Sequence, residues 1–354
     1  VWIMAYTTID DPSAHFQTMI FTGDGNDNRA LTNDGNSDLQ PDWIWFKNRV
    51  TTNSHNVLDS TRGVGKTLEG TDSTSMEGDT STRLTSFDSD GFTVKTDPSV
   101  NGDGNGIVAW QWKANGGTRT THTESGANPG GGYQANTTAG FSIVDYVGTG
   151  GAGHVTHGLG AVPEFIIMKN RDETESWLVY HVGIGNGKGL RLDTTAAADT
   201  TANHWANTTP NSSTIVVGGN PPNNKDAINY IAYCFASVQG YSKFGSYIGN
   251  GNVDGAFVYT GFKPAFVIQK QTSAGGEYWM MKDSKREPFN QNDANIYPNA
   301  TNVEGDTNGI DLLSNGFKCR TTGAGSNASG ATYMYIAFAK QPFVSSKGVP
   351  ATAI

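Results

Sequence analysis

Pro163-Glu164-Phe165-Ile166-Ile167-Met168-Lys169 is a proline, a short aromatic and aliphatic run, and a lysine. The chain writes this plan twice more, as Pro41-Asp42-Trp43-Ile44-Trp45-Phe46-Lys47 and as Pro264-Ala265-Phe266-Val267-Ile268-Gln269-Lys270. Runs this short, rich in aromatic and β-branched residues, suit strands and not helices. Upstream of each lies another short strand ending in Gly-x-Gly: Phe21-Thr22-Gly23-Asp24-Gly25, Tyr146-Val147-Gly148-Thr149-Gly150 and Tyr247-Ile248-Gly249-Asn250-Gly251. Downstream, each unit closes with a strand around an alanine, in Ile107 to Trp112, Tyr230 to Phe235 and Tyr335 to Ala339.

The fixed order of these landmarks identifies three copies of one unit. Units one and three share further strings in the same order. Asp59-Ser60-Thr61-Arg62 matches Asp283-Ser284-Lys285-Arg286, and Glu77-Gly78-Asp79-Thr80 matches Glu304-Gly305-Asp306-Thr307. Between the strands lie turn-forming clusters such as Ser314-Asn315-Gly316, which tolerate positive φ, and no stretch shows a capped helix of useful length. The expected fold is all-β: three tandem antiparallel β-sandwich repeats, jelly-roll-like, of roughly 100 residues each. Their expected bounds are 1–117, 140–239 and 240–343. Residues 118–139, rich in Thr, Gly, Asn and Ser, read as a flexible linker, and residues 344–354 as a C-terminal tail. Only Gln239 to Lys243 joins units two and three, so those two should pack side by side.

Of 354 residues, 45 are glycine and only 16% are charged, with 36% hydrophobic; the chain is short of charge yet has ample material for cores. A net charge of -9 repels polyanions, which argues against nucleic acid as a partner. No apolar run approaches the ~20 residues that cross a bilayer, so no membrane partner is expected. The start, Val1 to Asp10, has no cationic segment followed by an apolar one, which predicts synthesis without a signal peptide. Cys234 and Cys319 stand in apolar stretches and read as small core residues.

Several strings resemble chemical motifs and fall short of them. Gly148-Thr149-Gly150-Gly151-Ala152-Gly153 has dinucleotide-loop spacing, but a strand follows where a helix is needed. Gly63-Val64-Gly65-Lys66-Thr67 lacks the leading glycine of a phosphate loop. His154 and His157 have ligand-like spacing without further ligands near them, and His157 reads as a turn residue bonding its own loop. Calcium is the better metal for Asp24 to Asn28 and Asn101 to Gly106, yet Gly35 and Trp112 stand where the bidentate glutamate belongs. Asp88 with Asp90, and Glu77 with Asp79, read as turn and cap residues and not as a glycosidase pair. No nucleophile elbow or Cys/His pair is present. The expectation is therefore no catalytic residue, no cofactor and no metal. Trp205, in Asn203-His204-Trp205-Ala206-Asn207, and Tyr297, in Asn295-Ile296-Tyr297-Pro298-Asn299, lie in polar stretches and are the candidate ligand-binding residues, as platforms for a sugar. The competing reading is that both cap a sandwich core.

Met4-Ala5-Tyr6-Thr7-Thr8-Ile9, His157-Gly158-Leu159-Gly160, Tyr230 to Phe235, Gly240 to Tyr247 and Leu312 to Phe317 together resemble a family of uncharacterised tailed-bacteriophage virion or tail-fibre proteins, sometimes carrying a SPRY-like β-sandwich label. The resemblance spans nearly the whole chain and brings no catalytic motif. It implies a non-enzymatic structural protein of a virion, located in the particle, that self-associates as a homo-oligomer or filament and contacts other virion proteins. The alternative is a carbohydrate-binding module or adhesin recognising host surface glycan. The family pattern starts at the methionine, so Val1-Trp2-Ile3 look like extra residues.

Overall fold

The structure is a computed structural model describing residues 6–71, 73–200 and 203–351. Val1 to Ala5, and with them the start of the phage-like string, lie outside the described residues. The fold is all-β, and its only helical pieces there are Pro12–Ala14 and Pro98–Asn101.

Each unit is built on the same four antiparallel strands, in the spatial order first, closing, proline-led and fourth. In unit one these are Phe16–Thr22, Gly106–Trp112, Trp43–Asn48 and Asn56–Asp59. In unit two they are Phe141–Val147, Asn229–Phe235, Phe165–Asn170 and Leu178–His181. In unit three they are Ser242–Ile248, Thr332–Pro342, Phe262–Gln271 and Met280–Asp283. Register is preserved: Trp43 faces Trp112, Phe165 faces Phe235 and Phe266 faces Phe338. A smaller sheet covers the outer face of each. It is Arg29–Leu31, Gly91–Val94 and Leu84–Asp88 in unit one, and Gly153–Thr156 with Thr214–Val217 in unit two. In unit three it is Phe257–Tyr259, Gly316–Cys319, Gly305–Leu313 and Asn292–Asn295.

The continuous apolar character of the proline-led strands follows from this layering, because both of their faces are buried. Ile44 and Phe46 face the outer sheet of unit one, and Ile166 and Met168 that of unit two. Alternate residues point the other way, into one cluster that all three units share. Trp43, Trp45 and Trp112 meet Phe165, Ile167 and Phe235, and these meet Phe266, Ile268 and Phe338. Trp43 stacks on Tyr233 at 4.5 Å, and Phe235 packs edge-on to Phe338 at 5.8 Å. The void left at the centre is about 10 Å³, no larger than one water. The three sandwiches therefore close around an aromatic axis with approximate threefold symmetry.

The reading of residues 118–139 as a flexible linker is corrected. Thr120–His122 and Gly131–Asn136 extend the inner sheet of unit two, Gly131–Asn136 pairing with Phe141–Val147 in full register. The glycines serve close strand approach: a Cβ on Gly131 would stand 2.0 Å from the Asp145 carbonyl oxygen. The described part of the C-terminal tail also folds back, with Ser346 N donating to Asp10 Oδ1 at 2.6 Å and Ala351 N to Phe343 O at 2.8 Å.

Candidate functional site

The joints between units account for most of the buried polar chemistry. At the end of the fourth strand of unit one, Asp59 Oδ2 receives Arg62 Nε at 2.5 Å and the hydroxyl of Tyr233, from unit two, at 2.7 Å. Arg62 also donates to Glu77 Oε1 at 3.2 Å, and Arg171 of unit two clasps the same carboxylate at 3.0 and 2.8 Å. The joint between units three and one repeats this arrangement. Asp283 Oδ2 receives Arg286 Nε at 2.5 Å and Trp110 Nε1 at 3.0 Å, while Glu304 binds Arg286 at 2.7 Å and Arg49 at 2.5 and 3.0 Å. Burial opposes the charge on Arg62, but Asp59, Tyr233 and Glu77 outweigh it and hold the guanidinium fully ionised. The third joint, between units two and three, is built differently. His181 and Ile184 take the places of the aspartate and arginine, and His181 Nε2 bonds Tyr335 O at 3.1 Å. Backbone geometry is nonetheless common to all three: Glu77 N donates to Arg171 O, Glu304 N to Arg49 O and Ala198 N to Thr272 O.

A second ring of cross-unit bonds precedes each fourth strand. Trp177 Nε1 donates to Gly70 O, Trp279 Nε1 to Arg191 O, and His55 Nε2 bonds Tyr297 O. Burial, aided by Lys47, lowers His55 to about 3, so the ring is neutral at ordinary pH. The repeated lysines act similarly: Lys47 reaches Thr301 O, Lys169 reaches Thr74 O and Lys270 reaches Thr195 O, each in a neighbouring unit. Burial pulls Lys169 and Lys270 down to about 8.

The Gly-x-Gly loops are scaffolding. A buried asparagine later in the chain braces each one: Asn101, Asn224 and Asn327 accept from Asp24 N, Thr149 N and Asn250 N at 3.2, 3.0 and 3.0 Å. The Asn101 amide also donates to Asp24 Oδ1 at 3.1 Å, so the loop proposed for calcium is spanned by a side chain. No described group of three or more His, Cys, Asp or Glu is placed to hold a metal. His157 Nδ1 accepts from Leu159 N in its own loop, while its Nε2 bonds Asn211 O on a separate loop of the same unit. Asp88 takes the hydroxyls of Ser86 and Thr93, and Asp90 accepts from Leu39 N. Lys66 of the glycine-rich string begins a strand and pairs with Asp79. Glu77 is not the turn residue expected from its sequence but a joint residue, as described above.

Trp205 is only 1% exposed, its indole edge-on to Tyr180 at 5.5 Å and its Nε1 bonded to Lys188 O. No ring face is offered to solvent, which corrects its reading as a sugar platform; the polar neighbours that suggested exposure are loop residues around a core plug. Tyr297 is half-buried, packed on Tyr278 at 4.9 Å with its hydroxyl on Thr307 Oγ1 at 3.0 Å. The structure does not bring Trp205 and Tyr297 together: they belong to different units.

Open chemistry lies in the grooves where the residue after each repeat proline faces the first strand of the next unit. Between units one and two the groove is filled by the chain itself. Asp42 is wholly buried and accepts from Ala114 N, Gly116 N, Gly117 N and Ser60 Oγ, and Gln134 seals the edge. Between units three and one Ala265 takes the acid's place, and a cavity of about 250 Å³ is crossed by the Lys285 and Asp34 ion pair. Between units two and three a cavity of about 390 Å³ holds Glu164, Lys243, Tyr259 and Tyr6. Glu164 Oε2 accepts from Ser237 Oγ at 2.6 Å, and Lys243 Nζ lies 5.3 Å from the Tyr259 ring centroid. The Tyr6 and Tyr259 hydroxyls are 3.2 Å apart, and Tyr6 also donates to Gly261 O at 2.8 Å. Burial and Tyr259 together raise the Tyr6 phenol well above its ordinary range. Sequence reasoning missed this groove because its residues come from four separate segments, and the one signal was the acidic residue at Glu164, matching Asp42 after its proline.

No protein of curated function and no solved structure matches the chain. One family does, over residues 11–342, a span that takes in all three units; the chain belongs to this family, DUF7483, a domain of unknown function.

Proposed function

We propose that the protein is a non-enzymatic structural component of a phage virion, a tail-fibre or surface-appendage subunit that assembles into a symmetric oligomer or larger array. The observation that carries this reading is the closure of three sandwiches around one aromatic core, with buried Asp, Glu, Arg, His and Lys side chains spent on the joints. Such a body suits a mechanical part, and the phage resemblance of the sequence supports the same assignment. Unit three also leaves Ile248, Val253 and Phe257 exposed along one segment, apolar surface suited to burial against a neighbouring subunit. Light scattering and negative-stain imaging across a dilution series test the reading. A defined oligomer, rod or filament is expected, and a monomer that never associates at any concentration overturns it.

A second reading, an adhesin that recognises host surface polysaccharide, is favoured by one observation. The groove between units two and three carries an aromatic ring beside a carboxylate and an ammonium that pair with no other charge among the described residues. Multivalent display on an oligomer would turn weak contacts there into avidity.

A further inference from the structure

The three pseudo-equivalent grooves serve as internal controls for one another. Asp42, Glu164 and Ala265 hold matching places, their carbonyls accepting from Ser60 N, Val182 N and Ser284 N, although the strand of unit three is irregular at Ala265. Where the groove holds Asp42, every partner of the carboxylate comes from the chain: three main-chain amides and a serine hydroxyl. Where it holds Ala265, no acid follows the proline, and Lys285 and Asp34 on the rim pair with each other beside Asp11 and Lys340. Only the groove between units two and three retains an acid whose carboxylate takes a single bond, from Ser237, and leaves its other acceptor positions open. Lys243 lines the same cavity, its ammonium resting over the Tyr259 ring and making no ion pair among the described residues. Tyr259 itself is 47% exposed, and Phe257, on the same side of its strand, is 48% exposed.

These features select a ligand by its chemistry. A cavity of about 390 Å³ lies at the small end of the ~300–1,000 Å³ range of small-molecule sites. Charges of opposite sign in one cavity favour neither a simple anion nor a simple cation. A hydroxyl answers both, because it donates to a carboxylate and accepts from an ammonium. The Tyr259 ring adds an apolar face to which C–H groups can pack. Vicinal hydroxyls and a C–H face together describe a pyranose ring. An extended peptide, the occupant of the Asp42 groove, needs acceptors for its amides, and there no ammonium or exposed aromatic ring accompanies them.

We propose that the groove between units two and three binds a neutral saccharide, with Glu164 accepting from and Lys243 donating to ring hydroxyls beside Tyr259. This rests on the host-contact reading above and supplies its site. Saturation-transfer NMR on the full chain tests it, with methyl α-D-mannopyranoside, methyl α-D-glucopyranoside, methyl β-D-galactopyranoside and N-acetylglucosamine as probes. Transfer from at least one sugar is expected. Its affinity should fall about tenfold or more in Glu164→Gln and in Tyr259→Ala, as loss of a charge-assisted bond or a stacking face implies, and stay unchanged in Tyr297→Ala. Glu164→Gln preserves shape, so it remains decisive should Tyr259→Ala lower the melting temperature. Transfer from none of the four sugars, or transfer that survives both groove variants, overturns the proposal. So does saturation transfer to a peptide copying Ala114 to Gly117 in the absence of any sugar response. Oligomeric state is read separately by light scattering, so loss of sugar binding and loss of self-association are distinguishable outcomes.

Discussion

Arg286 shows how one residue can be visible in a sequence and its role invisible. The string Asp283-Ser284-Lys285-Arg286 was legible as a copy of Asp59-Ser60-Thr61-Arg62, and the Asp-to-Arg pair within it is local. That Arg286 also meets Glu304 and lies 5.6 Å from the Trp110 ring of another unit could not be read, because those contacts depend on how the sandwiches close. Arg286→Met should destabilise the protein by about 3–5 kcal/mol in chemical denaturation, since it leaves Asp283 buried without its counter-ion. His181 makes the contrasting case at the third joint. Gly183 N donates to its Nδ1 at 2.9 Å, so its Nε2 carries the proton given to Tyr335 O and the ring is neutral. Burial lowers His181 to about 4, against about 6.5 in the unfolded chain. The unfolded state therefore takes up the proton first. The contribution of His181 is complete above about pH 6.5 and is lost as pH falls toward 4, at about 1.4 kcal/mol per pH unit. Thermal melting of His181→Gln should depend less steeply on pH across this window than the parent does. Equal slopes would place the acid sensitivity elsewhere, for instance at His55.

At the level of elements, the strands announced themselves and the edges did not. The proline-led runs and the Gly-x-Gly loops were readable because burial on both faces, and backbone contact without a Cβ, each leave a sharp residue signature. A Cβ on Gly148 would lie 2.0 Å from Lys225 O, and one on Gly249 2.3 Å from Ala328 O. Neither glycine needs positive φ; each needs space. Gly249→Ala should accordingly lower stability by roughly 1–3 kcal/mol, the range for overpacking against a fixed neighbour, with the melting temperature as readout. The strands at 120–136 gave no comparable signature. Thr120–His122 is the sheet edge and Gly131–Asn136 lies next to it; strands at the margin of a sheet bury little, so Thr, Asn and Gly suffice there, and their composition resembles that of a linker. Trp205 left two readings open for the mirror-image reason, and the core-capping one holds: a core residue inserted from a loop carries polar sequence neighbours.

For the molecule as a whole, the sequence revealed three units and left their arrangement open, because an aromatic residue facing a neighbouring unit has the same alternation as one facing its own second sheet. Phe165 and Phe235 illustrate this: they stack at 5.5 Å within unit two, yet Phe165 also stacks on Phe244 at 5.8 Å and Phe235 packs edge-on to Phe338, both in unit three. With Trp43, Trp112 and Phe266 in the same cluster, no unit owns the central core. Independent units would each unfold at their own temperature. Units that share a core and three rings of joints lose those contacts together, so calorimetry of the full chain should show one transition with equal calorimetric and van't Hoff enthalpies. Residues 119–239 expressed alone would expose the inner face carrying Phe141, Phe165, Trp177, Tyr233 and Phe235. At about 25 cal/mol per Å² of apolar surface left in water, a face of that size costs more than a domain's ~5–15 kcal/mol of stability can bear. The excised unit should therefore aggregate or lack a cooperative melt. A soluble unit two with a sharp transition, or three separate calorimetric peaks in the intact chain, would show that the outer sandwiches suffice and that the central core only docks preformed domains.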